Sequence, residues 1–232
     1  MIRFYYSLAP NPMKVALFLE EAGLPYEAVP VDTRKGEQHV PAFLAVNPNA
    51  KVPAIVDDGV TVFDSNAILL YLAEKTGRFL PPNTPAARGP MLSWLMFIAS
   101  GIGPFSGQAV HFRHYAPEQV PYAINRYAFE ADRHWRILDD RLAANRYMLG
   151  DDYTLVDMAF FGWARIVPFV IGDDAWTRFP HVKRLLDEIL ARPAAQRALA
   201  LKERHSFKTE LDDEARRHMF RHLADERNQR AV

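Results

Sequence analysis

Two short segments of the sequence carry groups that could bind a small peptide with a charged end. Val52 precedes Pro53, so it is held extended, and its backbone N–H and C=O can pair with an extended ligand if no strand covers them. Asp64 and Ser65 come just before an apolar helical pattern, and a helix N-terminus attracts anions. A carboxylate at that helix start, with Asp64 beside it for an ammonium group, would hold an amino-acid head group. The same spacing also fits a plain hairpin followed by a capped helix.

A β-hairpin and a helix are predicted to position these groups. Residues 54–56 and 60–63 are rich in β-branched side chains and flank Asp57-Asp58-Gly59, a tight-turn sequence in which glycine supplies a positive φ. The helix that follows is indicated by apolar residues at helical spacing: Ile68, Leu69, Tyr71 and Leu72.

The segment before the hairpin predicts alternating strands and helices: a strand at 2–6, a helix at 13–22, a strand at 26–31 and a short helix at 41–46. Asn11 and Pro12 precede the first helix and Gly23 follows it. Asparagine at the cap, proline in the first turn and glycine past the end are typical of a helix frame. With the hairpin, the predicted order is βαβαββα, which is an α+β domain.

The second half of the chain is predicted to be all-helical. Prolines at 81, 82 and 85 indicate a linker, and helices are predicted at 88–115, 122–143, 155–169 and 181–191, with shorter ones at 193–205 and 211–223. Thr154 and Asp157 form a capping-box pattern, which indicates a role in folding rather than in catalysis. The predicted divisions are a first domain at 1–80, a linker at 81–87, a helical domain at 88–205 and a helical, partly frayed tail at 206–232.

The composition excludes several kinds of function. The 232 residues contain 28 Lys+Arg and 28 Asp+Glu, so no net charge drives binding to nucleic acid or to an anionic membrane. No apolar run is long enough to span a bilayer and no signal peptide is evident, so a cytoplasmic protein is expected. The absence of cysteine excludes disulfides, thiolate metal sites and a protein thiol nucleophile. The pairs His111/His114 and His218/His222 lack a third ligand in register, so no metal is expected.

At this point the sequence resembles a known family. Val-Pro, a strand–turn–strand and Asp-Ser at a helix start are similar to the glutathione site of the glutathione transferases, although Glu is usual where Asp64 stands. The segments G-I-G-P-F-S-G-Q (101–108) and P-Y-A-I-N-R-Y (121–127) resemble the Nu class and the fungal nitrogen-regulator proteins. The resemblance implies a thioredoxin-like N-terminal domain, an all-helical second domain, a cis Val52–Pro53 bond, glutathione as co-substrate and a homodimer.

The resemblance also implies which residues hold glutathione. Val52 and Pro53 would pair with its cysteinyl part, and Asp64-Ser65 would hold its γ-glutamyl end. The full set of implied glutathione contacts is Gln38, Lys51, Val52, Pro53, Asp64, Ser65 and Arg126. Without the resemblance, Gln38 and Lys51 read equally well as ordinary surface residues, and Arg126 as half of a surface ion pair.

Two residues are candidate donors to the glutathione thiol, which is only a few per cent ionised at neutral pH and needs stabilisation as the thiolate. Asn11 matches the Asn of the T-x-N-x-x-K loop of the Nu class, and Lys14 matches its Lys, whereas Ala9 stands in place of the Thr. Asn11 is therefore the expected main contact, although an asparagine before proline is also typical of a plain helix cap. Ser7 is the alternative donor, as in Ser-type transferases.

The resemblance implies an enzyme that uses bound glutathione to reduce small disulfides or peroxides, with weak conjugation of electrophiles. Because the chain has no cysteine, the attacking thiolate must belong to glutathione, and a second glutathione must resolve the mixed disulfide, with Arg126 as the residue to hold its carboxylate. Two alternatives stay open at this stage. One is a glutathione-binding regulator with little turnover, and the other is a Ser7-type transferase or isomerase.

Overall fold

The computed structural model describes residues 1–223. In that part of the chain a four-stranded sheet has the order β2-β1-β3-β4. Strand β1 pairs parallel with β2 and antiparallel with β3, which pairs antiparallel with β4. The strands are β1 (Ile2–Tyr6), β2 (Tyr26–Pro30), β3 (Ala54–Asp57) and β4 (Val60–Phe63). The helices of this half are α1 (Pro10–Ala22), α2 (Pro41–Leu44) and α3 (Ser65–Thr76), with a 3-10 turn at Glu37–His39. The predicted βαβαββα order is confirmed.

Helix α1 begins earlier than predicted, and this moves one candidate site residue. Ala9 is its N-cap and Pro10 its first residue, so Asn11 lies inside the first turn and does not cap the helix. Proline suits the first helical position because the missing N–H would have no partner there. The helix ends at Gly23, whose φ of 63° closes the last turn.

The hairpin forms as predicted, with Asp58 and Gly59 as its two-residue turn. Both adopt positive φ, 47° and 89°, which matches the right-handed twist of the two strands. Asp57 is buried at the end of β3, where its carboxylate accepts a hydrogen bond from Tyr71 Oη (2.9 Å) and pairs with Lys75. These bonds join the hairpin to α3.

The second half is helical in the described residues. Its helices are α4 (Pro85–Phe97), α5 (Gly103–Val110), α6 (Pro121–Ala143), α7 (Leu155–Ala164), α8 (Val167–Ile171), α9 (Ala175–Arg178), α10 (Pro180–Leu190), α11 (Pro193–Leu199) and α12 (Asp213–Met219). Short 3-10 turns lie at Ala200–Glu203 and Arg221–Leu223. The predicted fold class, a thioredoxin-like domain followed by a helical one, is confirmed.

Prolines account for two differences from the predicted boundaries. Helix α4 starts at Pro85, inside the predicted linker 81–87, because Thr84 caps it and proline is favourable in a first turn. The single helix predicted at 155–169 is divided into α7 and α8, and Pro168 occupies the first turn of α8. A proline inside an uninterrupted helix would lack a backbone donor and clash with the preceding turn.

The glycine-rich run that predicted a kink contains π-helical turns. Residues Ile98–Ile102 and His111–Tyr115 are π-helical and flank α5 on both sides. Single π turns are frequent at functional sites because they displace the residues that follow.

Helix α1 packs against α7 and α11, so one apolar core continues from the sheet into the helical half. Gly162 permits this approach, because a Cβ there would lie 2.3 Å from the Pro10 carbonyl oxygen. The predicted capping box at the start of α7 is present: the Asp157 carboxylate accepts from the Thr154 and Met148 N–H groups, both at 2.8 Å.

The C-terminal segment 204–223 returns across the first half of the molecule. The Lys208 N–H donates to Asp32 (2.7 Å), and Arg34 donates to the Lys208 carbonyl (3.2 Å). Helix α12 lies in the part predicted as a helical tail, whereas 224–232 fall outside the described residues. Among the helices described, none is both long and apolar enough to cross a membrane.

Candidate active site

Two adjoining cavities lie where the end of β1 meets the helical half. One, of about 510 Å³, is lined by Val52, Asn11 and Lys51 among others and is called here the Val52 cavity. The other, of about 560 Å³, is lined by largely apolar side chains, including Phe169, and is called the Phe169 cavity. Both are lined by Ser7, Ala9, Pro10, Thr33, Trp163, Met219 and Phe220, so they share a wall.

The Val52 edge has the geometry needed to pair with an extended peptide. The Val52–Pro53 bond is cis, as the resemblance implies. Within residues 1–223 no protein group pairs with the Val52 N–H or C=O. The preceding loop is fixed by Asn47, whose Nδ2 donates to the Lys51 carbonyl (2.6 Å) and whose Oδ1 accepts from the Asn49 N–H (3.0 Å). The unpaired backbone therefore faces the cavity from an ordered loop.

Asp64 and Ser65 form the start of α3. Asp64 caps the helix through Oδ1, which accepts from the N–H groups of Asn66 (2.9 Å) and Ala67 (3.1 Å). Ser65 is buried at the first helical position. As residues 1–223 outline the cavities, neither Asp64 nor Ser65 lines them. An anion at this helix start would therefore lie outside the walls of the two cavities.

The Lys14 amine lies close to the start of α3. Lys14 projects from α1, is 1% exposed, and its Nζ lies 3.4 Å from Ser65 Oγ and 3.5 Å from Asn66 Oδ1. Burial lowers the pKa of Lys14 to about 7, and the charge of Asp64 opposes this shift. An anion bound at Ser65 would supply a second opposite charge and favour the protonated amine.

Both candidate thiol donors line the Val52 cavity. Asn11 Oδ1 accepts a hydrogen bond from the Trp163 indole Nε1 at 2.9 Å. Ser7 is 8% exposed, and its Oγ accepts from the Ala9 N–H at 3.4 Å, which leaves its own proton for donation. The structure thus brings Asn11, Ser7 and Val52 to one cavity.

The N-terminal and C-terminal domain models of the glutathione S-transferases match residues 3–74 and 128–193. The disulfide-bond oxidoreductase YfcG of Escherichia coli is 42% identical over 228 residues, covering 92% of this chain and 98% of the relative. This chain belongs to the glutathione S-transferase family. The predicted family is confirmed.

Further relatives of this transferase agree with the predicted group. Protein URE2 of Eremothecium gossypii is 33% identical over 236 residues, covering 84% of this chain and 66% of the relative. A glutathione transferase family member from Pseudomonas fluorescens, solved with two glutathione bound, has a TM-score of 0.80 and 40% identity, and covers 85% of this chain and 92% of that one. URE2P6 of Phanerochaete chrysosporium, solved with oxidized glutathione, has a TM-score of 0.82 and 35% identity over 88% and 97% of the two chains.

Two of the predicted contacts of this transferase already have partners within the chain. Gln38 Nε2 donates to the Thr33 and His218 carbonyls, both at 3.1 Å, and His39 Nε2 also contacts the His218 carbonyl at 3.1 Å. Arg126 Nη1 donates to Glu130 Oε1 at 2.6 Å. In the cavities as residues 1–223 form them, Gln38 lines the Val52 cavity and Arg126 lines neither. The Arg126–Glu130 ion pair is present, and the contact between Arg126 and glutathione stays a prediction.

Sequence reasoning missed several residues at the site. The most informative is Trp163, which belongs to α7 and contacts Asn11 across 152 residues of sequence. Met219 and Phe220, from the C-terminal segment, line both cavities. An apolar helix such as α7 is normally interpreted as core, so its pattern gives no signal that one of its side chains lines a cavity.

Within the described chain, no three His, Asp or Glu side chains converge to hold a metal ion. His111 instead packs edge-on against Phe220, and burial lowers its pKa. His114 stacks on Phe169. The histidines therefore contribute to the wall around the Phe169 cavity.

Proposed function

We propose that this transferase is a cytoplasmic, homodimeric enzyme that reduces small disulfides with glutathione. The observation that carries the proposal is the Val52 edge beside the cis Pro53, which opens into the same cavity as Asn11 in a chain without cysteine. It is supported by relatives whose names or titles include disulfide-bond oxidoreductase, two bound glutathiones and oxidized glutathione.

In the proposed complex the cysteinyl part of glutathione pairs with the Val52 backbone. Its γ-glutamyl carboxylate binds at Ser65, where the α3 N-terminus and the Lys14 amine both favour an anion. The second carboxylate oxygen of Asp64 faces the α-ammonium, and Lys51 is close enough to the cavity to pair with the glycyl carboxylate. A glutathione contact through Gln38 Nε2 would require the C-terminal segment at His218 to move away, because that nitrogen already donates to the His218 carbonyl.

The proposed reaction consists of two thiol–disulfide exchanges. The bound glutathione thiolate attacks one sulfur of the substrate disulfide, forms a mixed disulfide and releases the other half as a thiolate. A second glutathione thiolate then attacks the glutathionyl sulfur, yielding glutathione disulfide and the second substrate thiol. The adjoining Phe169 cavity, of about 560 Å³, offers room for the disulfide or the second glutathione. The same thiolate would reduce peroxides and conjugate electrophiles, which we propose as lesser activities.

Exposed apolar side chains support the proposed homodimer. Val60 (50% exposed) and Phe63 (43%) lie on the edge strand β4, while Met96 (48%), Tyr122 (81%) and Phe129 (62%) lie on α4 and α6. Exposed apolar side chains on both halves are compatible with an isologous contact in which the first domain of one protomer packs on the helical domain of its partner. Light scattering at micromolar concentration should give about twice the 26.5 kDa monomer mass, and a monomer mass would contradict the proposal.

The test of the proposed function combines binding with turnover. Calorimetry should detect glutathione, and a model disulfide should be reduced while the intact mass of the trapped protein stays unmodified. Asn11→Ala should lower turnover about 10- to 100-fold, the loss expected for one hydrogen bond to an anion, and Ser7→Ala should lower it only a few-fold. The opposite ranking would favour the Ser-type alternative, in which Ser7 donates to the thiol. Absence of glutathione binding at millimolar concentration would refute the proposal, and tight binding without turnover would favour the regulator.

A further inference from the structure

The bond between Trp163 and Asn11 determines which way the Asn11 amide faces. An indole nitrogen can only donate a hydrogen bond, whereas an amide has an acceptor at Oδ1 and two donors at Nδ2. The Nε1–Oδ1 distance of 2.9 Å is that of a good hydrogen bond. Rotating the amide by half a turn would place its NH₂ group against the indole N–H, with the loss of the bond. The arrangement therefore leaves Nδ2 as the end directed away from Trp163.

The indole itself lies close to the backbone of α5. A Cβ at Gly103 would lie 3.3 Å from Trp163 Nε1, and one at Gly107 would lie 3.5 Å from its Cη2. Gly162, the neighbour of Trp163 on α7, permits the close approach of α7 to the start of α1. Trp163 is only 8% exposed in this slot. A large planar side chain confined in this way keeps a single orientation, so its N–H is a fixed donor.

We infer that Trp163 is a positioning residue for the thiolate: its indole N–H holds Asn11 Oδ1 so that the Asn11 NH₂ group donates to the sulfur of bound glutathione. This inference rests on the proposed function, in which Asn11 is the thiol contact. An amide that could rotate would present its carbonyl oxygen to the sulfur part of the time, and that oxygen would repel a thiolate. The indole therefore acts on the ionisation of glutathione through Asn11.

The consequence should be measurable on the thiol of bound glutathione. Trp163→Phe keeps an aromatic ring in the slot but removes the N–H. We expect the pKa of the bound thiol to rise by about one unit, the size of one hydrogen bond to an anion, and turnover at neutral pH to fall about tenfold. Glutathione affinity should change little, because the Val52 edge and the start of α3 remain intact.

Trp135→Phe is the matched control. Trp135 is fully buried in the same helical half, and its Nε1 donates to Ser106 Oγ at 3.0 Å, so the substitution removes the same kind of bond. In the cavities formed by residues 1–223, Trp135 lines neither. A general effect of losing a buried indole bond would appear in both variants, whereas a positioning effect would appear only at Trp163.

The experiment measures glutathione binding by calorimetry and then the ultraviolet absorbance of the bound thiolate as a function of pH. The expected result is a raised thiol pKa in Trp163→Phe and an unchanged one in Trp135→Phe. The double variant Asn11→Ala/Trp163→Phe should raise the thiol pKa no more than Asn11→Ala alone does, because both substitutions act through the same donor. Normal binding with an unchanged thiol pKa in Trp163→Phe would overturn the role of Trp163 alone, whereas absence of binding to the unmodified protein would overturn the proposed function.

Asn11→Asp gives a second test that keeps the indole bond. A carboxylate oxygen still accepts from Trp163 Nε1, so the contact between α1 and α7 is preserved. The other oxygen then stands where the NH₂ group was and opposes the thiolate. The thiol pKa should rise further in Asn11→Asp than in Asn11→Ala. An equal or smaller rise would show that this end of the side chain does not face the sulfur, and would overturn the inference.

Discussion

Replacing Lys14 with methionine should stabilise the protein, and the gain should shrink as the pH rises. Lys14 is 1% exposed, and its amine has only two long contacts, with Ser65 Oγ and Asn66 Oδ1. Burial disfavours the charged amine because the surrounding protein solvates it less well than water does. Methionine has a similar length and no charge, so it fills the same space without that cost.

The pKa of Lys14 determines the magnitude. A shift from 10.5 to about 7 corresponds to about 5 kcal/mol of destabilisation when the amine is protonated in both states. Between pH 7 and 10.5 the unfolded chain binds this proton and the folded protein does not, so stability rises by about 1.4 kcal/mol per pH unit. The cost is therefore close to its full value at pH 6 and about 2 kcal/mol at pH 9. The advantage of Lys14→Met should contract by about 3 kcal/mol over that interval.

The assay is urea unfolding of both proteins at pH 6, 7.5 and 9, at one fixed protein concentration. Other titrating groups, such as Asp157, are common to both proteins, so their effects cancel in the difference between the two free energies of unfolding. Loss of the hydrogen bonds from the amine to Ser65 and Asn66 changes that difference by the same amount at every pH. Lys202→Met, at an exposed lysine on the 3-10 turn Ala200–Glu203, is the control and should show a constant difference. A difference between Lys14→Met and the unmodified protein that does not vary with pH would refute the reasoning.

Three further predictions concern the same elements. Ser65→Ala should weaken glutathione binding by about 1 kcal/mol or somewhat more, measured by calorimetry, and unchanged affinity would exclude Ser65 as a carboxylate contact. Glutathione binding near pH 7 should be accompanied by proton uptake at Lys14, because an anion at Ser65 raises its pKa, and by proton release from the thiol; calorimetry in two buffers of different ionisation enthalpy measures the net exchange, and Lys14→Met should shift it towards release. Asp157→Ala should lower the free energy of unfolding by about 2–4 kcal/mol, since it leaves the buried Met148 and Thr154 N–H groups unpaired, with glutathione affinity unchanged as the check on its purely structural role.

Local patterns in the sequence were sufficient for most of the fold. The hairpin turn at Asp58 and Gly59 and the end of α1 at Gly23 both require positive φ, and glycine or aspartate indicates such positions directly. The start of α1 was misplaced because Pro10 and Pro12 each fit a first-turn position, and sequence alone does not choose between them. The choice matters because it turns Asn11 from a cap into a side chain free to contact Trp163.

The sequence could group those candidate residues that lie close together in the chain. Val52, Pro53, Asp64 and Ser65 flank a single hairpin, so their proximity follows from the hairpin itself. Arg126 was assigned to glutathione by resemblance, yet Glu130 stands one helical turn away and pairs with it. A partner four residues along a helix is a signal that the sequence does contain.

Contacts between distant segments could not be predicted. The His218 carbonyl meets Gln38 across 180 residues, and nothing in either segment indicates the other. The group that accepts from Gln38 is a backbone carbonyl. Every residue has one, so no side-chain pattern in the sequence predicts this contact. A glutathione contact through Gln38 Nε2 would therefore compete with the docking of the C-terminal segment.

The glycines at 101–107 connect the fold to the chemistry. Their pattern predicted a kinked helix with close backbone approach, and the structure shows what approaches: the His134 ring at Gly101 and the Trp163 indole at Gly103 and Gly107. A side chain larger than hydrogen at Gly103 would press on Nε1 itself, the atom that holds Asn11. The spacing of Gly103 and Gly107 therefore constrains the position of the Trp163 indole, and the indole in turn holds the Asn11 amide. If Asn11 is the thiol contact, as we propose, this glycine motif acts on the ionisation of glutathione through the place it leaves for Trp163.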